Sequence, residues 1–278
     1  MAQPVYECLQ VTVERGVAFV TLDHPPLNLF DLALMREMSQ VARALAENSA
    51  VRVVVLQSAD PEFFIAHSDV KLIQELPTTA PPKPTAPGAF QQLLERWRTL
   101  PQATIGKVEG RARGGGCELL LALDMRFGAL GRAILSQPEI AVGIGLGGGG
   151  SLHLPRLIGY GRALEMILGC EDFPAHLAAE YGLLNRVLPP EELTPFVEHL
   201  AFRIASFPAT AIALAKASVR ASELPLAQGL LEEQDHFNQA VATPAARERL
   251  TRFMQRGGQT RDVELAWSDL LATLGDEG

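Results

Sequence analysis

The chain has 278 residues, of which 47% are hydrophobic and 20% charged, and its formal net charge is −8. This length and apolar content suffice for one large domain, or for a domain with an appendage, around a substantial core. The acidic balance argues against a broad nucleic-acid footprint, which needs clustered lysines and arginines, and favours a small-molecule ligand.

The chain begins MAQPVYECLQ, which has neither a charged segment followed by an apolar core nor a long apolar run. Neither secretion nor membrane spanning is therefore expected, and we expect a cytoplasmic protein. The three cysteines, Cys8, Cys117 and Cys170, lack the CxxC spacing of zinc or redox centres, so reduced thiols are expected.

The first elements are a hairpin, a helix and a buried strand. Residues Leu9–Val13 and Val17–Leu22 have the β-branched, partly alternating pattern of two strands joined by a turn. Asp31 can cap a helix whose apolar residues follow a 3.6-residue period. The segment Val51–Leu56 is almost unbroken valine and leucine, which is typical of a strand buried on both faces. This alternation of strands and helix predicts an α/β fold.

The middle and the end of the chain differ in pattern. Residues Leu76–Gly88 carry five prolines, which favour an extended loop, an insertion or a lid, and strand character returns at Thr104–Val108. Residues Leu152–Leu168 are predicted to be helical. After Pro189 the remaining predicted elements are all helices: Glu192–Phe207, Ala209–Ala221, Leu226–Ala240, Ala245–Arg256 and Val263–Leu274. We therefore predict two regions, residues 1–190 and an all-helical region of residues 191–278.

Two glycine-rich segments compete as the functional centre. One is RARGGGCE at residues 111–118; the other contains the spacing G-x-G-x-x-G at Gly143, Gly145 and Gly148. A dinucleotide fingerprint would directly follow the first strand of a βαβ unit, but here Pro138 interrupts the preceding run. No G-x-x-x-x-G-K-[ST] motif occurs either. A nucleotide cofactor is therefore disfavoured.

The triplet of glycines suggests a different use. Backbone amides without side chains, at a helix N-terminus, can donate hydrogen bonds to a carbonyl oxygen that becomes negative during a reaction. Glu118 would then lie in the first helical turn and face the same cavity, although a glutamate there often only complements the helix dipole. Cys117 is either a nucleophile, favoured near a helix N-terminus, or small buried filler.

A second carboxylate favours catalysis. Glu139 follows Pro138 in a predicted turn just before the second glycine segment. Two glutamates beside glycine-rich backbone suit general acid–base chemistry on a substrate whose carbonyl is polarised. An isolated glutamate in a turn is otherwise more often a surface residue.

The motifs GRARGGGCELLLALDMRFGA and SQPEIAVGIGLGGGG, with the order of the elements around them, resemble the crotonase, or enoyl-CoA hydratase/isomerase, superfamily over nearly the whole chain. The resemblance implies a spiral of repeated ββα units with C-terminal helices that assemble homotrimers, often paired into hexamers. It also implies an acyl-CoA thioester substrate, no metal, and no organic cofactor beyond the coenzyme A of the substrate. Superfamily members catalyse several reactions, so the likeness indicates fold more specifically than reaction.

By this resemblance the backbone amides of Ser68 and Gly115 form an oxyanion hole for a thioester enolate. Glu118 and Glu139 match the two catalytic glutamates of the hydratases, and the amide of Gly147 would help to position water. The implied reaction is hydration of a 2-enoyl-CoA to a 3-hydroxyacyl-CoA. Isomerisation of an enoyl-CoA, hydrolysis of a CoA thioester, and acyl-CoA binding without catalysis remain alternatives.

The sequence departs from the family pattern at two places. His67-Ser68 stands where relatives more usually have Gly-Ala, and Leu146 replaces a common proline. His67 is either a structural substitution, a wall of the acyl pocket or an added acid–base group. A hydrolase triad of His67, Ser68 and Asp69 is disfavoured, because adjacent side chains diverge.

The remaining candidate residues would bind the coenzyme A moiety. By resemblance Lys71 lies near the adenine and phosphates, and Val70, beside Asp69, lies along the pocket. Arg252 and Arg256 on a C-terminal helix are either phosphate contacts, to the ligand of the same or of a neighbouring subunit, or solvated surface cations. By the same resemblance, the proline-rich segment Leu76–Gly88 lies where related enzymes vary the wall of the acyl pocket.

Overall fold

The computed structural model describes residues 6–79, 82–265, 267, 271 and 274. Two parallel-rich sheets and a series of helices form its architecture. The first sheet contains β1 (Leu9–Glu14), β2 (Val17–Leu22), β3 (Val53–Ser58), β5 (Ala103–Val108), β7 (Met125–Ala129) and β10 (Arg186–Leu188), in that order. The second contains β4 (Phe63–Ile65), β6 (Arg111–Arg113), β8 (Ile134–Ser136) and β9 (Phe173–Pro174).

Helices alternate with the strands in the first two thirds of the chain. They are α1 (Leu32–Glu47), α2 (Val70–Gln74), α3 (Ala89–Arg98), α4 (Gly115–Ala122), α5 (Gly150–Ile158), α6 (Tyr160–Gly169) and α7 (Ala175–Tyr181). The strand pairs β1/β2, β3/β4, β5/β6 and β7/β8 are each followed by helical structure, which is a repeated ββα unit. The α/β fold predicted from the sequence is thus confirmed.

The last third of the chain is helical. Its elements are α8 (Pro190–Ala205), α9 (Ala209–Arg220), α10 (Leu226–Val241), α11 (Pro244–Gln255) and α12 (Arg261–Leu265). The end of the predicted helix Val263–Leu274 falls largely outside the described residues. Helix α8 packs its buried residues Leu193 and Val197 against strands of the first sheet. The division at residue 190 stays a prediction.

The opening segments match their predicted structures. The hairpin β1/β2 is antiparallel, and β2 and β3 pair in parallel. Asp31 caps α1 by accepting a hydrogen bond from the Leu34 N–H at 2.9 Å. Strand β3 begins at Val53, two residues after the predicted start, because Val51 and Arg52 lead into it from the turn.

The predicted helix Leu152–Leu168 is interrupted in the structure. It divides into α5 and α6 at Gly159, which has φ +83°. This left-handed backbone region favours glycine, so Gly159 supplies the break. The outcome differs from the prediction because the apolar period runs through both helices, while one positive φ value changes the direction of the chain.

The described residues contain no single helix with both the length and the apolar character needed to cross a membrane. Helix α8 and the segment Ala209–Glu223 pass that test together, by length and composition alone, but they meet at a bend of 107°.

Candidate active site

The glycine triplet opens a buried helix. Gly114 has φ +51° and precedes α4, and its carbonyl accepts a hydrogen bond from the Glu118 N–H at 2.9 Å. The first amides of a helix have no acceptor within the helix, so Gly115, the first residue of α4, can donate to a ligand. All eight residues of α4 are buried, which fixes this helix in the core.

Ser68 lies directly against Gly115. A Cβ added to Gly115 would be 2.3 Å from Ser68 Oγ and 3.1 Å from Phe90 Cζ. Backbone bonds hold the Ser68 segment beside Phe30, whose N–H donates to the His67 carbonyl at 3.0 Å and whose carbonyl accepts from Asp69 N–H at 3.2 Å. The structure therefore brings together the two residues whose amides were predicted to form the oxyanion hole, and a side chain at residue 115 would displace the Ser68 hydroxyl.

Glu118 joins the two glycine segments. Its Oε1 accepts hydrogen bonds from the amides of Gly148 at 2.8 Å and Gly150 at 2.9 Å. The residue is only 3% exposed. Burial raises the pKa of its carboxyl, and the two amide hydrogen bonds oppose that rise. Glu118 is thus a fixed, buried carboxyl that links both glycine segments. A glutamate that only complemented the helix dipole would need neither this burial nor these hydrogen bonds.

Glu139 is the second carboxyl of the site. It begins a 3-10 turn, Glu139–Val142, immediately after Pro138, and it is half-buried. A Cβ added to Gly114 would be 2.8 Å from Glu139 Oε1, so the carboxyl lies against the glycine triplet. Burial, together with the negative charge of Glu118, raises the pKa of Glu139 to about 7. This carboxyl can therefore give or take a proton near neutral pH.

Gln137 supports Glu139. The side chain of Gln137 is fully buried, and its amide nitrogen, in the orientation that satisfies both groups, donates to the two Glu139 carboxyl oxygens at 3.2 and 3.3 Å. Sequence reasoning assigned no role to Gln137. The one indication of this role in the sequence was that Gln137 lies two residues before Glu139.

The second glycine segment serves as a support for Glu118. It follows the 3-10 turn rather than a strand, unlike a dinucleotide fingerprint. Its partly buried Leu146 packs against the core near Gly150, where an added Cβ would be 2.7 Å from Leu146 Cδ2. Gly147 is exposed, and the amides that bind Glu118 belong to Gly148 and Gly150. The sequence did not indicate these two amides, because their function depends on the loop returning to α4.

His67 is accommodated without a left-handed backbone conformation. It does not belong to the described non-glycine residues with positive φ, which are Arg15, Asn28, Cys170 and Gln259. Its Nδ1 lies 2.8 Å from the Ser68 carbonyl oxygen. Asp69 instead caps α2 by accepting from Lys71 N–H at 3.0 Å. This arrangement does not form a hydrolase triad, because His67 faces a backbone carbonyl rather than a carboxylate.

The predicted coenzyme A contacts lie in two regions. Val70 is 51% exposed and Lys71 is also exposed, both at the start of α2 and next to Ser68. Arg252 instead pairs with Glu248 and donates to the Leu274 carbonyl, and Arg256 is the C-cap residue that follows α11. Val70 and Lys71 thus lie close to Ser68, whereas these two contacts of Arg252 are within the C-terminal helical region.

Cys117 is buried beside the two carboxyls. It is fully enclosed in α4, and burial raises the pKa of its thiol, with further increases from the charges of Glu118 and Glu139. A thiol with a raised pKa is a poor nucleophile. The environment supports the interpretation of Cys117 as filler. Among the described residues, no three His, Cys, Asp or Glu side chains form a cluster suited to a metal ion.

Known proteins share both the sequence pattern and the fold. The family model described as enoyl-CoA hydratase/isomerase matches residues 12–260. A short-chain-enoyl-CoA hydratase of Clostridium acetobutylicum is 31% identical over 87% of this chain and 93% of its own length. A crotonyl-CoA hydratase of Syntrophomonas wolfei is 30% identical over 90% of this chain and 96% of its own. The crystal structure of an enoyl-CoA hydratase from Bacillus anthracis matches with a TM-score of 0.83 at 30% identity, covering 90% of this chain and 97% of that one.

Proposed function

The chain belongs to the enoyl-CoA hydratase/isomerase family, within the crotonase superfamily, and on this premise we propose that it hydrates a 2-enoyl-CoA to a 3-hydroxyacyl-CoA. Relatives named as enoyl-CoA hydratases support the processing of an acyl-CoA. The observation that carries the proposal is the pair of carboxyls: Glu118 is held by two amides of the second glycine segment, and Glu139 lies against the glycine triplet with a pKa of about 7.

In the proposed reaction, the amides of Ser68 and Gly115 donate hydrogen bonds to the thioester oxygen. This oxygen becomes negative when water attacks Cβ, so the two donors stabilise the enolate more than the substrate. The contact between Ser68 and Gly115 supports this role, because it places both segments around one small space. A side chain at residue 115 would occupy that space.

The two glutamates divide the proton transfers. Glu118 accepts a proton from the attacking water while the Gly148 and Gly150 amides hold its Oε1 in place. Glu139, with a pKa of about 7, delivers a proton to Cα as the enolate collapses. One hydrogen and one hydroxyl are thus added across the double bond. Release of a proton by Glu118 and uptake of one by Glu139 then restore the enzyme.

The substrate contacts follow from the same geometry. We assign the acyl-CoA entrance to the segment of His67, Asp69, Val70 and Lys71, because it adjoins Ser68 and exposes Val70 and Lys71. Arg252 and Arg256 would reach the coenzyme A phosphates from a neighbouring subunit, and Gly147 would contribute an amide to the water. A reaction without metal or additional cofactor, a homotrimer or hexamer, and a cytoplasmic location stay predictions.

The test is a panel of CoA thioesters incubated with the purified protein and followed by mass spectrometry. Hydration adds one water to an enoyl-CoA and leaves coenzyme A attached. Isomerisation would leave the mass unchanged, hydrolysis would release free coenzyme A, and binding without turnover would change no thioester.

Matched variants test the roles of the two glutamates. We expect Glu118→Gln and Glu139→Gln each to lower kcat/KM for the best enoyl-CoA by about 10²- to 10⁴-fold, the usual contribution of a positioned acid or base. The control is Glu232→Gln, an exposed residue of α10, which should retain wild-type turnover. Retained activity in both site variants would refute this mechanism, even if hydration itself were observed.

A further inference from the structure

We propose that a cavity between Arg52 and Arg249 binds a small phosphate-class anion, either inorganic phosphate or the head of a phosphomonoester. The cavity has a volume of about 380 Å³ and belongs to neither glycine segment. It is lined by Arg52, Ala205, Ser206, Phe207, Pro208, Ala245 and Arg249. Two of these residues are basic and none is acidic, so the lining carries a positive charge.

The charge of Arg52 is not matched within the described part of the chain. Its Nε is buried without a hydrogen-bond partner there. Its Nη1 lies 3.1 Å from the Cβ position that would be added at Gly16, so the guanidinium is held against the β1/β2 turn. A buried donor without an acceptor is costly, and a bound oxyanion would supply the acceptor.

Arg249 brings a second positive charge to the same space. It donates through Nη2 to the Ser206 carbonyl, which orients its guanidinium on the cavity wall. Burial lowers the pKa of Arg249, and the charges of Arg252 and Arg52 lower it further, while Glu248 opposes the shift. Glu248 itself pairs with Arg252 and does not line the cavity. Two repelling guanidinium groups at one cavity favour an anion between them.

Two helix N-termini adjoin the cavity. Pro208 precedes α9, a helix without a side-chain cap, and Ala245 lies in the first turn of α11, where the Thr243 side chain already accepts from the Ala246 N–H. Helix N-termini carry partial positive charge and unpaired amides, both of which favour oxyanions. Their contribution adds to that of the arginines.

This cavity is at the opposite end of the first sheet from the candidate active site. Arg52 immediately precedes β3, whereas Ser68 follows the carboxyl end of β3 through β4. Phosphate in the cavity would not occupy the oxyanion hole. The proposal therefore does not depend on the proposed reaction, and a binding measurement tests it without any substrate.

The experiment is isothermal titration calorimetry of the whole protein with inorganic phosphate, at an ionic strength kept constant with sodium chloride. We expect saturable binding to the wild type that is about tenfold or more weaker in both Arg52→Gln and Arg249→Gln, because each removes a charge-assisted contact. Arg43→Gln, at an exposed position of α1, should bind phosphate like the wild type. Parallel titrations with glycerol phosphate distinguish a site for the ester from a site for the free ion.

Absence of saturable phosphate binding, or equal binding by the wild type and both cavity variants, would overturn the proposal. Folding of the variants is checked by circular dichroism, with Arg52→Lys and Arg249→Lys as charge-conserving substitutes. A wild-type crystal soaked in tungstate, a heavier oxyanion, gives an independent answer. Anomalous density in the cavity supports the site, and tungstate bound only elsewhere contradicts it.

Discussion

At the residue scale, Glu118 and Glu139 show how surroundings distinguish two identical side chains. Glu118 is fixed by two amides, whereas Glu139 starts a turn and is half-buried beside it. The sequence predicted both carboxyls, since each adjoins a glycine-rich segment. It did not predict Gln137, Gly148 or Gly150 as their partners, because those contacts form only when distant segments meet in three dimensions.

The raised pKa of Glu139 predicts a pH-dependent stability. The pKa is about 7 in the folded protein against an ordinary value of 4.5 for glutamate, so the folded state holds this proton more tightly than the unfolded chain. The resulting stabilisation is fully present below a pH of about 4.5 and is lost as the pH rises through about 7. Above that pH a charged carboxylate must remain partly buried near Glu118.

Glu139→Gln removes this ionisation. We therefore expect the melting temperature of the variant, relative to the wild type, to be higher at about pH 8 than at about pH 5. Thermal melts of both proteins over this range provide the measurement, with Glu232→Gln as the matched control. A difference in melting temperature that is constant with pH would contradict the assigned environment of Glu139.

At the element scale, one buried arginine secures the helix that carries Glu118. Arg126, on β7, donates to the carbonyls of Leu120 at 3.2 Å and Leu123 at 2.7 Å at the end of α4, and to that of Leu183 at 2.8 Å. The sequence predicted the start of α4 from its glycines. The sequence did not predict how the end of α4 is held. An arginine in a strand gives no local indication of the carbonyls to which its side chain will donate hydrogen bonds.

We expect Arg126→Gln to lower the free energy of unfolding by about 2–4 kcal/mol, since several buried carbonyls lose a charged donor. Urea unfolding of the purified variant measures this change. The control is Arg132→Gln, at an exposed position just beyond β7. An effect of the Arg126 variant within about 0.5 kcal/mol of that control, the scale of surface substitutions, would show that the hydrogen bonds are not needed.

At the scale of the whole molecule, the C-terminal helices leave large apolar side chains uncovered. In α10, Leu226 is 78% exposed, Leu231 73% and Phe237 62%. Apolar patches of this kind mark interaction surfaces. The amphipathic pattern predicted the helices, but whether their apolar face meets the same chain or another copy depends on the arrangement of the whole fold.

A homotrimer is expected to have three times the chain mass of 30.0 kDa, or about 90 kDa, and a hexamer twice that. Mass photometry of the purified protein measures this directly. Leu230→Glu should shift the population towards monomers, because Leu230 is 53% exposed and lies on the same face of α10 as Leu226 and Phe237. The control is Leu76→Glu, which makes the same change from an apolar to a charged side chain at an exposed position outside these helices. It should leave the mass distribution unchanged. A wild-type mass of one chain would refute the predicted assembly.

The burial of Cys117 also determines how the protein responds to thiol chemistry. Cys8 is 2% exposed and Cys117 fully enclosed, and burial raises the pKa of both thiols, whereas Cys170 is partly accessible at the end of α6. Alkylating reagents and mild oxidants act on thiolates that they can reach. In the folded protein they are directed to Cys170, so a fluorescent label attached there would leave the sulfur beside the two glutamates unmodified.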